Sequence, residues 1–380
     1  MKRLTIGVLA ASGKENEQRL PIHPRHLSRI DPDLRGRMIF EAGYGSHFGV
    51  PNEQLKGGVA GVRSREEILA VADVVLLPKP TLADVAEMRD GQVLWGWPHV
   101  VQDPLMTQLA IDKRLTLIAW EAMNVWGADG SMVVHVFHMN NELAGYCSVL
   151  HSMTLAGITG HYGRQIQAAV IGFGNSARGA ATGLRALGIH DITALTQRGP
   201  TTVASPIPSV VLERMERDPG NSDQIVVLTD DGPKPIAQFL SSFEVVVNCV
   251  LQDTDAPQMF IRNTELSLFE PGTLLVDVSC DAGMGFEFAR PTAFDDPVLT
   301  FGNDIRYYGV DHSPSYLWNS ATWEISEALM PYLRCVMDGP DDWEGNETIR
   351  RAIEIRDGVI VNPKILSFQS RSSEHPHERP

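Results

Sequence analysis

Residues 167–188 read QAAVIGFGNSARGAATGLRALG, and this stretch decides the fold. Residues 167–171 are mostly apolar and predict a buried strand. A glycine turn follows, and then a helix that ends at Gly188. A strand, a tight turn and a helix in direct succession predict an α/β unit.

The turn between this strand and helix has the spacing G-x-G-x-x-A. Its residues are Gly172, Phe173, Gly174, Asn175, Ser176 and Ala177. The first glycine allows a tight turn, the second lets the backbone approach a pyrophosphate, and the small Ala177 lets helix and strand pack closely. The helix N-terminus offers free N–H groups to the phosphates. The flanking strand and helix favour a dinucleotide site over a turn without ligand.

The end of the next strand, ITALTQ (192–197), bears on the choice of nicotinamide cofactor. An NAD site usually has Asp or Glu here to bind the ribose 2′-hydroxyl. The strand ends instead in Thr196-Gln197-Arg198, and the guanidinium of Arg198 suits a 2′-phosphate. We therefore predict NADP(H) as the preferred cofactor. The alternative is that Arg198 is a solvated turn residue and that NAD(H) binds.

Short apolar runs separated by polar or helical segments extend on both sides of this stretch, at 4–9, 73–77, 92–95, 115–119, 244–250 and 273–279. The alternation predicts βα units and mostly parallel sheets. A helix is expected near 24–30, and a long, largely buried helix over 140–159. The predicted fold class is α/β with two Rossmann-like domains.

The helical pattern returns after residue 312, most clearly in WEISEALMPYLRCVM. We expect this part to complete the first domain. The substrate domain is then discontinuous, 1–139 plus 312–371, and the dinucleotide-binding domain is 140–311. The polar, proline-containing residues 372–380 are predicted to be disordered.

Composition excludes several classes of protein. The net charge of −15 argues against nucleic acid as a partner. No run approaches about 18 apolar residues, so no membrane span is expected. The four cysteines lack a C-x-x-C spacing and suggest free thiols in a reducing cytoplasm. We expect a cytoplasmic homo-oligomer that acts on small molecules, and we predict no metal site.

Four polar residues follow or flank apolar strands: Arg19 in KENEQR, Lys79 after ADVVLL, His99 after GQVLW, and Asp281 after VDVS. In open α/β sheets, ligands gather at the carboxyl ends of strands. Each residue alone is more often a surface charge, a structural histidine or a cap. Their common placement predicts that they meet at one site.

These segments, in this order, resemble the alanine dehydrogenase and saccharopine dehydrogenase superfamily. The resemblance implies that Arg19 of the E-x-R motif binds a substrate carboxylate, and that Lys79 and His99 complete the pocket. It also implies that Asp281 lies on the nicotinamide side.

A narrower resemblance is to the N(5)-(carboxyethyl)ornithine synthases. It is carried by KENEQR, EAGYG (41–45), NNELAGY (140–146), GNSARGA (174–180), VVNCVLQD (246–253), VDVSCD (276–281) and GVDHSPS (309–315). The DHSPS element also resembles fungal-type saccharopine dehydrogenases. The chain departs from the pattern at Trp95 and Trp97 and in a longer C-terminal end. The resemblance implies condensation of a 2-oxo acid with the side-chain amine of an amino acid such as ornithine or lysine, and reduction of the imine.

The candidate residues fall into three groups. Lys79, His99 and Asp281 are the catalytic candidates, with His99 the proton carrier suited to neutral pH. Arg19 and Glu121 are candidates for substrate binding, where Glu121 either binds an ammonium group or holds Lys79. The cofactor candidates are Gly172, Gly174, Asn175, Ser176, Ala177, Gln197, Arg198, Asn248 and Asp311. For Asn248 and Asp311 a structural role is the alternative.

Three functions remain open from the residues. The first is an opine-type reductase, and the second is a simple amino-acid dehydrogenase or a saccharopine dehydrogenase. The third is a dinucleotide-binding sensor without catalysis. Lys79 and His99 argue against a sensor, because a sensor needs no proton carrier.

Overall fold

A computed structural model describes residues 3–198 and 206–378. The chain divides into two compact units. The first unit comprises Met1–His138 and Trp318–Pro380, and the second comprises Met139–Leu317. Both units are α/β with largely parallel sheets, as the sequence predicts.

The amino-terminal part of the first unit alternates short strands and short helices. They are β1 (Ile6–Val8), α1 (Pro32–Arg35), β2 (Met38–Glu41), α2 (Asn52–Lys56), β3 (Gly61–Arg63), α3 (Arg65–Val71), β4 (Val74–Leu76), α4 (Leu82–Glu87), β5 (Val93–Gly96), α5 (Pro104–Asp112), β6 (Thr116–Ala119), β7 (Asn124–Trp126) and β8 (Met132–His135).

The second unit has one long helix, two shorter helices and eleven strands among its described residues. They are α6 (His138–Ala156), β9 (Gln167–Ile171), α7 (Asn175–Ala186), β10 (Asp191–Thr196), β11 (Val210–Asp218), β12 (Asn221–Thr229), β13 (Gly232–Pro235), α8 (Ile236–Leu240), β14 (Val245–Asn248), β15 (Met259–Ile261), β16 (Leu274–Asp277), β17 (Gly285–Phe286), β18 (Val298–Phe301) and β19 (Ile305–Tyr308).

The carboxyl-terminal part returns to the first unit with five helices and a strand pair. They are α9 (Trp318–Leu329), α10 (Leu333–Asp338), α11 (Pro340–Gly345), α12 (Glu347–Ala352), β20 (Ile353–Arg356), β21 (Val359–Ile360) and α13 (Pro363–Phe368).

The sheet of the first unit has the order β21-β20-β6-β5-β4-β1-β2-β3. Strands β1 to β6 pair in parallel, and β20 pairs with β6 in the antiparallel sense. The residues of β1, β4, β5 and β6 are buried, as expected for parallel strands covered on both faces. The carboxyl ends of β4, β5 and β6 therefore lie side by side at one edge of the sheet.

The sheet of the second unit has the order β13-β12-β11-β10-β9-β14-β16-β19-β18. Its six central strands are parallel, and antiparallel strands extend both ends. Strand β9 is central, between β10 and β14, so the glycine turn that follows it lies at the middle of the sheet edge.

Helices α6 and α7 of the second unit touch through their backbones at two glycines. A Cβ placed on Gly145 would lie 1.8 Å from the carbonyl oxygen of Ser176, and one placed on Gly179 would lie 1.7 Å from that of Glu142. Only glycine fits at such a distance. The contact holds the first two turns of α7, and with them the glycine turn before the helix.

Two local features differ from the sequence-based expectations. Residues Pro24–Arg29 form a 3-10 helix, which begins with a proline. Helix α6 buries one face only. Residues 372–378 form bends and turns, and the buried guanidinium of Arg371 donates hydrogen bonds to the carbonyl oxygens of Pro376 and Glu378. The disorder expected for residues 372–380 stays a prediction. Residues 379–380 lie outside the described residues.

No helix in the described part of the chain has both the length and the apolar character to span a bilayer.

Candidate active site

Three polar side chains follow the adjacent strands β4, β5 and β6 of the first unit. Lys79 Nζ lies 3.1 Å from His99 Nε2. An ammonium group has no lone pair, so this contact is a hydrogen bond only when at least one of the two groups is neutral. Glu121 accepts the backbone N–H of His99 at 2.7 Å, and its Oε1 lies 3.8 Å from His99 Nδ1. The structure thus brings together Lys79, His99 and Glu121.

The backbone of His99 is left-handed, with φ +49°. A non-glycine residue rarely adopts this conformation, and it persists only where the surroundings hold it. The hydrogen bond from the His99 N–H to Glu121 is part of that support. The carboxylate therefore acts on the backbone that aims the imidazole.

Arg19 lies in the same unit, in the loop after β1, and is buried with Glu17. Their side chains are 4% and 1% exposed, and Arg19 Nε donates to Glu17 Oε1 at 2.8 Å. Arg19 Nη2 donates to the other carboxylate oxygen. The guanidinium carbon also lies 5.0 Å from the ring centre of Trp97. This pairing occupies the Nε–Nη2 edge of Arg19.

The loop that carries Arg19 is anchored beside Lys79. Asp84 on α4 accepts the N–H of Gly13 at 2.9 Å and that of Thr81 at 2.7 Å. Ser12 donates its hydroxyl hydrogen to the carbonyl oxygen of Lys79. The segment before Arg19 and the segment that carries Lys79 are therefore held to the same helix.

Burial dominates the electrostatics of Glu121. Burial, and then the negative charge of Glu354 on β20, raises the pKa of Glu121 to about 8. Burial raises the pKa of Glu354 to about 7. Both carboxyl groups therefore change charge in the range where an enzyme operates near neutral pH.

The glycine turn of the second unit has the geometry of a phosphate site. Gly172 has φ +101°, a conformation that favours glycine, and its N–H donates to the Leu195 carbonyl oxygen at 2.8 Å. Gly174 precedes the first residue of the twelve-residue helix α7. A Cβ on Gly174 would meet no atom within 4 Å, which leaves room for a pyrophosphate above the helix N-terminus. Ala177 is fully buried against the strand.

Arg198 and Gln197 lie on the surface at the end of β10. Arg198 Nη2 donates to the carbonyl oxygen of Phe173 at 3.3 Å, so the guanidinium reaches the glycine turn itself. Gln197 donates to the side chain of Gln258 at 2.9 Å. Arg198 is therefore close to where an adenosine ribose would follow the pyrophosphate.

A buried carboxylate, Asp277, ends β16 at the same edge of the sheet. It accepts from Asn248 Nδ2 at 3.0 Å and from the N–H of Cys280 at 3.1 Å, and its other oxygen is 3.1 Å from the Tyr307 hydroxyl. Cys280 has φ +45°, so this carboxylate holds a left-handed residue just before Asp281. Burial raises the pKa of Asp277 to about 7.

The other candidate residues of the second unit differ in burial and in their hydrogen-bond partners. Asn248 is fully buried and its amide oxygen accepts the N–H of Val250, so both ends of its side chain have partners inside the protein. Asp311 lies 2.7 Å from His312 Nδ1. Asp281 is half-buried in the loop after β16, and Asn175 and Ser176 are half-buried at the start of α7.

Family models match both parts of the chain. Residues 8–140 match the alanine dehydrogenase/PNT N-terminal domain, and residues 150–363 match the alanine dehydrogenase/PNT C-terminal domain. The chain belongs to the alanine dehydrogenase/PNT family. The resemblance seen in the motifs is thereby confirmed, and the family consists of oxidoreductases that bind NAD(P).

The similar proteins in this family have more than one activity. The chain is 22% identical over 371 residues to an alanine dehydrogenase of Mycobacterium tuberculosis, covering 93% of this chain and 94% of that protein. It is 23% identical over 336 residues to an N(5)-(carboxyethyl)ornithine synthase of Clostridium botulinum, covering 84% and 90%.

Solved structures show the same fold. An L-alanine dehydrogenase superposes with a TM-score of 0.73 at 18% identity, covering 96% of this chain and 99% of that one. The transhydrogenase from Sinorhizobium meliloti superposes with a TM-score of 0.68 at 18% identity, covering 94% and 99%.

Four residues with evident roles in the geometry are absent from the sequence-based candidates. Glu17 and Trp97 enclose Arg19, Asp277 supports the loop of Asp281, and Glu354 acts on Glu121. The E-x-R spacing and the VDVSCD motif contain Glu17 and Asp277, so a signal for these two was present. The sequence around Glu354 has no such signal.

Replacing Gly174 by Ala is expected to weaken nicotinamide dinucleotide binding without unfolding the protein. The added Cβ meets no protein atom and occupies the space proposed for the pyrophosphate, so the Kd for NADP(H) should rise at least tenfold, or about 1.4 kcal/mol. Titration calorimetry measures Kd, and urea unfolding should give the wild-type midpoint. The control Gly345→Ala, also at a glycine with open space, should change neither. An unchanged Kd in Gly174→Ala would contradict the assignment of the pyrophosphate to this turn.

Proposed function

We propose that this protein is an NADP(H)-dependent reductase that joins a 2-oxo acid to the side-chain amine of an amino acid such as ornithine or lysine. The amine adds to the carbonyl carbon, water leaves, and an imine forms. Bound NADPH supplies the hydride to the imine carbon. A proton goes to the nitrogen, so the products are an N-substituted amino acid, NADP⁺ and water.

The single observation that carries this proposal is the 3.1 Å contact between Lys79 Nζ and His99 Nε2. Loss of water from the carbinolamine needs a proton donor at the departing hydroxyl, and imine reduction needs a proton at nitrogen. A histidine side chain can donate and accept protons near neutral pH, and Lys79 lies within hydrogen-bonding distance of that of His99. We assign His99 as the proton carrier and Lys79 as its partner, with Glu121 fixing the backbone of His99.

Arg19 suits the carboxylate of the 2-oxo acid. Its guanidinium is buried, and Glu17 and Trp97 restrict its rotation. The pairing with Glu17 holds the guanidinium in one orientation, and the planar fork of an arginine suits a carboxylate. A buried, preoriented arginine of this kind fixes the acid end of the substrate and leaves its carbonyl carbon free to react.

The second unit supplies the cofactor residues. The contact of Arg198 with Phe173 supports a role for its guanidinium in binding the 2′-phosphate of NADP(H). We propose that the glycine turn, residues 172–177, binds the pyrophosphate. We propose that Asp281 contacts the nicotinamide ribose or the incoming amine. The internal hydrogen bonds of Asn248 favour a supporting role for that residue.

A simple amino-acid dehydrogenase is the second candidate. The likeness to the M. tuberculosis alanine dehydrogenase covers 93% of the chain, against 84% for the synthase of C. botulinum. In that reaction ammonia replaces the side-chain amine, and the same residues would carry the same proton transfers. The motifs KENEQR, VVNCVLQD and GVDHSPS favour the synthase.

The decisive assay is NADPH oxidation in a matrix of 2-oxo acids against ornithine, lysine, arginine and ammonia, followed by absorbance. We expect turnover with pyruvate and a diamino acid, and none with ammonia, because the proposed site holds a 2-oxo acid and a side-chain amine. Turnover with ammonia alone would make the protein a simple amino-acid dehydrogenase. Absence of turnover with every pair, while NADPH binds, would overturn both candidates.

Arg19→Lys is expected to raise the KM for the 2-oxo acid selectively. Lysine keeps the charge beside Glu17 and loses the planar fork, so one charge-assisted hydrogen bond to the substrate is lost. The expected rise is about 10–100-fold, with the KM for NADPH unchanged. Steady-state kinetics with each substrate varied in turn measures both. Arg25→Lys, at an exposed position of the same unit, should behave as wild type. An equal rise in the KM for the 2-oxo acid and the KM for NADPH would contradict the assignment of Arg19 to the substrate carboxylate.

Arg198→Asp is expected to shift the cofactor preference from NADPH towards NADH. The carboxylate repels a 2′-phosphate and can accept a hydrogen bond from a 2′-hydroxyl. The ratio of kcat/KM for NADPH to that for NADH should fall about 10–100-fold. Arg262→Asp provides the matched charge change at another exposed arginine of the same unit. If both variants keep the wild-type ratio, Arg198 does not contact the phosphate.

A further inference from the structure

A second buried carboxyl group, Glu354, acts on the active-site residue Glu121. It comes from β20, the carboxyl-terminal strand that pairs with β6. In this pairing Ile353 faces Ile118 and Ile355 faces Leu117, so Glu354 is the extra residue of a β-bulge. A bulge redirects a side chain out of the regular alternation of a strand, and bulges are frequent beside active sites.

Each carboxyl group has one satisfied and one unsatisfied oxygen. Glu354 is 3% exposed, and its Oε1 accepts from Asn362 Nδ2 at 3.0 Å. Oε1 of Glu121 accepts the N–H of His99. Among the described residues, the remaining oxygens of both side chains are buried without a hydrogen-bond partner. A buried carboxylate oxygen without a donor is costly, and protonation relieves the cost.

The charged groups around Glu121 come from four segments. Glu354 faces it from β20, Lys79 from the segment after β4, and His99 from the segment after β5. His135 on β8 contacts the Glu121 carbonyl oxygen, and burial lowers the pKa of His135, which favours its neutral form. The groups beside Glu121 that can carry a positive charge are therefore Lys79 and His99. Its anionic neighbour is Glu354.

Two neighbouring carboxyl groups in a buried site do not both ionise readily, because each negative charge disfavours the other. Burial also favours the neutral form of each, and the pKa of both groups is raised, to about 8 and about 7. The two groups therefore do not both carry a full negative charge at neutral pH. This keeps a full negative charge away from Lys79 and His99.

We propose that Glu354 and Glu121 hold one proton between them, and that Glu354 thereby sets the pH range in which the Lys79–His99 pair donates protons to the substrate. Glu354 is a positioning residue in this sense: it acts through Glu121. The second part of the proposal rests on the proposed function, whereas the shared proton is a property of the free protein.

Glu354→Gln tests the effect on catalysis. Glutamine has nearly the same shape and can still accept from Asn362, but it carries no charge. Glu121 then ionises at lower pH, and its carboxylate favours the protonated form of the Lys79–His99 pair. The basic limb of the kcat/KM profile for NADPH-dependent reduction should move to higher pH by about one unit, a tenfold change in proton concentration. Glu66→Gln removes the same charge from an exposed helix of the same unit and should leave the limb in place. A purely structural Glu354 would lower the rate at every pH without moving the limb.

Infrared difference spectroscopy tests the shared proton without substrate. Wild-type protein at neutral pH should show a protonated-carboxyl band that is weaker both in Glu354→Gln and in Glu121→Gln, because each variant removes one of the two groups that hold the proton. Asp277, whose pKa burial raises to about 7, contributes a band common to all variants. A wild-type band that is undiminished in both variants would overturn the proposal, and so would a wild type without the additional band. If Glu354→Gln does not fold, Glu121→Gln alone decides, since weakening of the band is still required. An inactive protein with the expected bands would refute the proposed function and retain the shared proton.

Discussion

The parallel pairing of β4, β5 and β6 is the constraint on which the first unit depends. Leu76 pairs with Trp95, and Trp95 pairs with Ile118, so the three strands end nearly level. Each of these strands is followed by a short segment, and each segment contributes one side chain to the site. This is why lysine, histidine and glutamate from separate parts of the chain meet within hydrogen-bonding distance.

Both units have the same local arrangement after a strand, in which a carboxylate accepts a hydrogen bond from a residue with left-handed backbone. In the first, a carboxylate accepts the N–H of the left-handed residue His99; in the second, Asp277 accepts the N–H of the left-handed residue Cys280. Strain in the backbone is offset in each case by a carboxyl group, partly buried in Glu121 and fully buried in Asp277. The orientation of the loop and the protonation of that group are therefore linked.

The sequence was most informative where a signal is local. The glycine turn at 172–177, the strands on either side and the positions of Lys79 and His99 after strands all follow from neighbouring residues. The backbone contact at Gly145 depends on two helices meeting, and no local pattern predicts it. Glu354 lies at a bulge where β20 pairs with β6, a strand far away in the sequence. Secondary-structure propensity and residue spacing therefore do not predict that Glu354 acts on Glu121.

The return of the chain to the first unit has a consequence for synthesis. The ribosome completes the second unit before β20 and Glu354 are made. Domains generally fold as units while the chain emerges. The second unit can thus form while β6 still lacks β20, and nascent chains pass through a stage in which β6 is an open sheet edge and Glu121 lacks Glu354.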